Sequence, residues 1–164
     1  MDKLWAPWRI KYISAKRKRA GCIFCRAGRG VSGEHVIFKT KFSIVMLNIY
    51  PYNNGHLLAA PLRHTRDISS LSREEALDLF ACLKRAKSLL SRVLKPQGYN
   101  IGFNLERPAG AGIAGHLHMH IVPRWNGDTN FMPVVSGTRV ISQSLEELAA
   151  RLRKADEHNQ RIRR

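Results

Sequence analysis

His116-Leu117-His118-Met119-His120-Ile121-Val122, bounded by Gly115 and Pro123, alternates three histidines with large apolar residues. Alternation at period two is the pattern of a half-buried strand, so Leu117, Met119 and Ile121 are expected to face a core. His116, His118 and His120 then line the opposite face. A strand advances about 3.3 Å per residue, which sets neighbouring imidazoles roughly 6.6 Å apart and the outer two roughly 13 Å apart. One zinc ion with Zn–N bonds of about 2.0–2.1 Å takes two adjacent members but hardly all three. The spacing argues for divided labour along the strand, with a surface histidine ladder or an adventitious metal patch as the competing reading. Seven histidines in 164 residues, three of them within five positions, weigh against chance.

Outward from this stretch, His35–Lys39 and the β-branched Phe42–Ile49 read as strands. Pro51-Tyr52-Asn53-Asn54-Gly55 is a turn by composition, and His56–Pro61 returns as a short strand paired with the one before it. Ser72 with Glu75 forms a capping-box pattern that opens a long helix. Ala76, Leu79, Phe80, Leu83, Ala86, Leu90 and Val93 recur along it at helical spacing until Pro96 and Gly98 stop it. Cys82 lies within this helix and reads as packing. Tyr99–Asn104 is another strand, Arg107–Gly115 a Gly/Ala-rich loop, and a last helix is expected from Leu145 to about Arg153, opened by Ser144. The whole, residues 1–164, reads as one α+β domain with an N-terminal arm (1–21) and a basic C-terminal tail (154–164). The arm's Leu4-Trp5-Ala6-Pro7-Trp8-Arg9 opening is too aromatic for a solvated tail and is expected to dock on the body.

With 28 Lys+Arg against 12 Asp+Glu the formal charge is +16, which suits phosphate-rich partners from nucleotides to nucleic acids. Lys16–Arg19 and the C-terminal arginines read either as solvated ends or as an electrostatic footprint for nucleic acid, with no zinc-finger pair or RNP motif to accompany them. No run approaches a membrane span, and no secretory signal is apparent. Three cysteines, two of them in one C-x-x-C, make no disulfide framework, so a reducing cytoplasm is the expected location.

Cys22-Ile23-Phe24-Cys25 has several readings. A thioredoxin-type motif needs a strand before it, which Lys16–Gly21 does not suggest. Zinc needs two further ligands, for which His64, just past the His56–Pro61 strand, and His116 are available. A Cys2His2 site would fill all four tetrahedral positions and be structural. A free thiol pair packed under the N-terminal arm is the alternative.

The histidine stretch resembles that of the histidine triad (HIT) family of nucleotide hydrolases and transferases. The match runs from His116 to Val122, is extended by Pro123-Arg124, and comes with Asn53-Asn54-Gly55-His56, Pro61-Leu62-Arg63-His64 and Asn104 in the family's order. It covers roughly Cys22 to Pro133. Leu4–Arg9 and Trp125–Pro133 look like a bacterial branch that includes diadenosine tetraphosphate phosphorylases. The resemblance implies a five-stranded antiparallel sheet with one long and one shorter helix, joined to a second sheet in a homodimer.

It also implies a mechanism. His118 matches the nucleophile that attacks the α-phosphorus of a nucleotide, leaving a nucleotidyl-histidine that water or phosphate resolves. Its other ring nitrogen then needs a fixed acceptor, for which a backbone carbonyl is expected. His120 matches the residue that hydrogen-bonds the phosphate oxygens, and His56 another histidine near the phosphate or leaving group. Asn48 stands where relatives carry a ribose-binding residue, usually acidic, and Asn104 matches a polar residue near the leaving group. In zinc-carrying branches, including galactose-1-phosphate uridylyltransferase, two cysteines, a later histidine and the first triad histidine hold the metal. Cys22, Cys25, His64 and His116 fall on those places. Two departures stand out. The uridylyltransferases carry Gln at the place of His120, which argues against that role. Many relatives place Gln and then Ser or Thr where this chain has Gly112 and Ile113, so leaving-group assistance by that hydroxyl is absent, although loop N–H groups around Gly112 remain suited to phosphate.

The expected function is therefore an enzyme cleaving dinucleoside polyphosphates such as diadenosine tetraphosphate, by phosphorolysis or hydrolysis. A nucleoside phosphoramidase or general nucleotidyl hydrolase shares that chemistry with another leaving group. A nucleic-acid-binding or adenylated-DNA-processing protein is the alternative of a different class, motivated by the charge of +16.

Overall fold

The computed structural model describes residues 21–30, 35–128, 141 and 143–162. Leu4–Arg9, Lys16–Arg19 and positions 129–133 of the Trp125–Pro133 flank lie outside them. In chain order the elements are α1 (Ile23–Gly28), β1 (Val36–Lys39), β2 (Ser43–Leu47), β3 (Leu57–Pro61), a 3-10 turn (Ile68–Ser70), α2 (Arg73–Leu94), β4 (Gly98–Phe103), β5 (Met119–Arg124) and α3 (Leu145–Ile162). The five strands form one antiparallel sheet in the order β1-β2-β3-β5-β4, as the resemblance implied.

β2 and β3 are buried along their whole length, so each must satisfy an apolar layer on both faces. Val45, Leu47, Leu57, Ala59, Met119 and Ile121 point to one side, against Leu79, Ala86, Leu89 and Leu90 of α2 and Leu148 and Leu152 of α3. Ile44, Met46, Leu58 and Ala60 point to the other, against Phe24 and Ala27 of α1. Leu58 pairs with His120 across the β3–β5 ladder, which puts the triad on the α1 face. The period-two reading thus holds for Met119 and Ile121. Leu117 is buried but belongs to neither apolar cluster.

α2 starts where its cap requires. Ser72 Oγ accepts from the Glu75 N–H while Glu75 Oε2 accepts from the Ser72 N–H, closing the capping box. Arg63 donates to both Glu75 oxygens, at 2.8 and 2.7 Å, which ties the helix start to the chain leaving β3. The hairpin turn needs Gly55, whose φ is +79° and where a Cβ would lie 2.4 Å from Leu94 Cδ1.

Three features depart from expectation. The triad strand begins at Met119, not His116. Continuing the register would set Leu117 opposite Pro61, which has no N–H to give, and Leu117 N–H donates to the Thr65 carbonyl instead. Cys22 caps a short helix, α1, that its six residues made hard to detect. The last helix runs to Ile162, so residues 154–162 are helical and not a tail. Its extension is held by polar contacts. Asp156, 4% exposed, receives Arg85 Nε at 2.7 Å, and Asn159 accepts from Arg92. Arg85 itself lies over the Phe38 ring, 3.9 Å from its centroid.

Candidate functional site

Along the triad every ring nitrogen has an identifiable state. His118 Nδ1 faces the carbonyl oxygen of His116 at 2.8 Å, and a carbonyl only accepts, so Nδ1 carries the proton. His118 Nε2 is left with its lone pair. Burial lowers the affinity of His118 for a second proton, opposed by that carbonyl, so the neutral imidazole is favoured. Phe24 supports the ring from α1, with centroids 5.3 Å apart.

His56 and His120 form a directed pair. The Tyr52 N–H donates to His56 Nδ1 at 3.0 Å, so that nitrogen is an acceptor and the proton resides on Nε2. His56 Nε2–H therefore donates to His120 Nδ1, 2.9 Å away. His120 must then carry its own proton on Nε2, a buried atom with no hydrogen-bond partner among the described residues. Burial, then the proximity of His118, pushes His120 down to about 4. A buried N–H donor without an acceptor is costly, and an anionic ligand oxygen would satisfy it. Its ring centroid lies 5.0 Å from that of His118.

Asn48 touches this pair. Its Oδ1 accepts from the Tyr50 N–H at 2.9 Å, which leaves Nδ2 to donate to His56 Nδ1 at 3.3 Å. Asn104 and Gly112 sit on the loop between β4 and the triad, and no hydrogen bond joins either to a histidine among the described residues. A Cβ built at Gly112 meets nothing within 4 Å, so the backbone there is open to a ligand. Ile113 packs on the apolar cluster around Phe24, which accounts for an apolar residue at that place.

On the far side of His116 a second group converges. Cys22 Sγ and His64 Nδ1 each lie 3.1 Å from His116 Nδ1, Cys25 Sγ lies 3.3 Å from His64 Nδ1, and all four ligand atoms fall within 4.8 Å of one another. His116 Nε2–H donates to the Pro61 carbonyl at 2.8 Å, so Nδ1 directs a lone pair into the cluster. An outer hydrogen bond that fixes a tautomer is the arrangement expected of a metal-bound imidazole. Two thiols and two imidazoles at this separation can hold a metal, and the donor set fits tetrahedral zinc. His116 serves the cluster through its side chain and His118 through its carbonyl.

Two supporting residues were not legible in the sequence. Phe24 lies between the two cysteines of the C-x-x-C, and its ring packs on both His116 and His118. Tyr52 was read only as part of a turn, yet its ring stacks on His120 at 5.4 Å with a 9° interplanar angle. An aromatic in an otherwise polar turn was the only signal for it.

Comparison with known proteins bears on these observations. The model of the HIT domain matches residues 29–127. AP-4-A phosphorylase of Mycobacterium tuberculosis is 35% identical over 156 residues, spanning 90% of this chain and 80% of that protein. The asymmetrical bis(5'-nucleosyl)-tetraphosphatase of Schizosaccharomyces pombe is 31% identical over 96 residues, or 58% of this chain and 52% of that one. Among solved structures, a Zn-bound histidine triad family protein from Mycobacterium smegmatis superposes with a TM-score of 0.70 at 28% identity, covering 87% of this chain and 97% of the other. On the family match and on the length of the shared sequence, the chain belongs to the histidine triad (HIT) family.

Proposed function

We propose that the protein transfers a nucleotidyl group through a nucleotidyl-histidine, cleaving dinucleoside polyphosphates of the diadenosine tetraphosphate type. The observation that carries the reading is the complementarity of two neighbouring imidazoles: His118 offers an Nε2 lone pair and His120 a buried Nε2–H with no partner among the described residues. His118 Nε2 attacks the α-phosphorus, a P–N bond forms, and the P–O bond to the departing nucleotide breaks. His120 donates to the phosphate oxygen on which charge builds, and His56 holds His120 in the tautomer able to do so. In the second step an acceptor oxygen attacks phosphorus, the P–N bond breaks and His118 returns to the neutral imidazole. Asn48 and Asn104 are assigned to the nucleotide's ribose and leaving group, and the backbone at Gly112 to its phosphates.

The 35% identity to a phosphorylase over most of the chain favours phosphate as the acceptor over water. Product analysis by anion exchange, with and without phosphate, tests this. ADP and ATP formed only with phosphate support phosphorolysis; AMP and ATP formed without it support hydrolysis. Turnover of neither kind would refute the dinucleotide reading.

Cys22, Cys25, His64 and His116 are assigned to one structural zinc, which when bound supplies a closed tetrahedral node and no reaction chemistry. We further read the protein as a cytoplasmic homodimer. The free thiols suit a reducing compartment, and among the described residues no helix is long and apolar enough to cross a membrane. β4 is the open sheet edge, with Ile101 43% exposed, whereas the β1 edge is engaged by Arg153 donating to the Val36 carbonyl. The charge of +16 supports nucleic acid as an additional partner, with binding that weakens steeply as salt rises.

A further inference from the structure

The Tyr52 ring lies over the His56–His120 pair. The residue is 42% exposed, yet one face of its ring covers the two imidazoles of the directed pair. It stacks on His120 at 5.4 Å, nearly parallel, and tilts over His56 at 4.6 Å. Both distances are ordinary for paired rings. Beneath it His56 is 0% and His120 9% exposed. Among the described residues, the groups facing His120 are His56, His118 and Tyr52. Its sheet neighbours, Leu58 on β3 and Gly102 on β4, bring no charge.

The directed pair tolerates one proton arrangement. A second proton on His120 would place Nδ1–H against His56 Nε2–H, two donors facing each other across 2.9 Å. The pair would part or the ring would turn, and the Nε2–H would lose its aim. Water reaching the pair would stabilise that charged form and compete for both nitrogens.

We propose that Tyr52 is a positioning residue for nucleotidyl transfer, its ring shielding the His56–His120 pair from water so that His120 Nε2–H stays directed at the phosphate. The proposal rests on the nucleotidyl-transfer reading of this site. The hydroxyl has no part in it, so Phe serves in place of Tyr. The main-chain N–H that fixes His56 is unaffected by either substitution used here.

The test compares wild type, Tyr52→Phe and Tyr52→Ala as full chains, by 15N NMR titration of the imidazoles and by steady-state kinetics on diadenosine tetraphosphate. In Tyr52→Ala the His120 midpoint is expected to rise by about one pH unit. Its kcat should fall about tenfold or more, with KM within about threefold of wild type. Tyr52→Phe should keep the wild-type titration and kcat. An unchanged His120 titration in Tyr52→Ala overturns the proposal, as does a loss confined to KM, which would make the ring a substrate contact. Equal losses in Phe and Ala also overturn it, because the hydroxyl would then be the active part. If the wild type turns over no dinucleotide while Tyr52→Ala still shifts His120, the shielding stands and the functional reading fails.

Discussion

His118 Nδ1 lies 2.8 Å from the carbonyl oxygen of His116, so the backbone of the first histidine sets the tautomer of the second. With that proton committed, Nε2 keeps the lone pair that the proposed mechanism places on phosphorus. Replacing His118 by Ala should lower kcat/KM by at least about 10^3-fold, the order expected on removing a covalent nucleophile. Thermal stability should also fall, because a buried ring is removed and the His116 carbonyl loses its donor. Mass spectrometry after an alkaline quench, which spares an acid-labile P–N bond, should detect a nucleotidyl adduct in wild type and none in His118→Ala. An adduct in the variant would move the nucleophile elsewhere.

His120 also makes stability depend on pH. Its folded value is pushed down to about 4, from an ordinary value of 6.5. The unfolded chain therefore binds more protons between these limits, and stability rises with pH across them. The contribution is fully present above 6.5 and is lost as pH falls towards 4. Urea denaturation of wild type and His120→Asn at several pH values should show a shallower slope in the variant across this window.

Glu75 acts in a lower window. The Arg63 guanidinium first, and the Ser72 N–H second, hold its carboxyl down to about 2. A depressed carboxylate stabilises the fold above its unfolded value of 4.5, and that stability is lost as pH falls towards 2. Glu75→Ala removes half of the capping box and should cost about 1–2 kcal/mol at neutral pH. Denaturation curves should show this deficit shrinking as pH drops below 4.5.

The cysteine–histidine cluster predicts about one zinc per chain, read by metal analysis of protein prepared under reducing conditions. Cys25→Ser should lower that stoichiometry and the melting temperature together. Its kcat should remain within about tenfold of wild type, because the His116 carbonyl survives the change. A loss of activity as deep as that of His118→Ala would instead assign the cluster to the reaction.

Asp156 anchors α3 to α2 through the partly exposed Arg85, and its removal deletes two charge-assisted hydrogen bonds. Asp156→Ala should destabilise by about 2 kcal/mol. Hydrogen exchange should quicken first across the α3 segment 145–162, where the anchor is lost.

Much of this organisation could be read from residue patterns because the patterns were apolar. Met119 and Ile121 declare their side of the sheet by period alone, and Ser72 with Glu75 marks the start of α2. What escaped was written in polar or single contacts. The second half of α3 is held by Asp156 and Asn159, residues that look like those of a solvated tail. The strand start depends on Pro61 failing to donate across the sheet, a property of the partner and not of the triad. At the site, residue types pointed to histidines that the structure brings together, but the proton on each nitrogen depends on what lies opposite it. The Tyr52 N–H and the His116 and Pro61 carbonyls are main-chain groups with no residue signature.

The double service of His116 has an evolutionary corollary. Its part in the cysteine–histidine cluster is a side chain and can be erased by one substitution, whereas its acceptor for His118 persists whatever residue stands there. Leu117, held to the Thr65 carbonyl at 2.6 Å, keeps the segment in place from the next position along. The cysteine–histidine cluster and the orientation of His118 are therefore separable inheritances: loss of the cysteines leaves the main-chain acceptor of His118 in place.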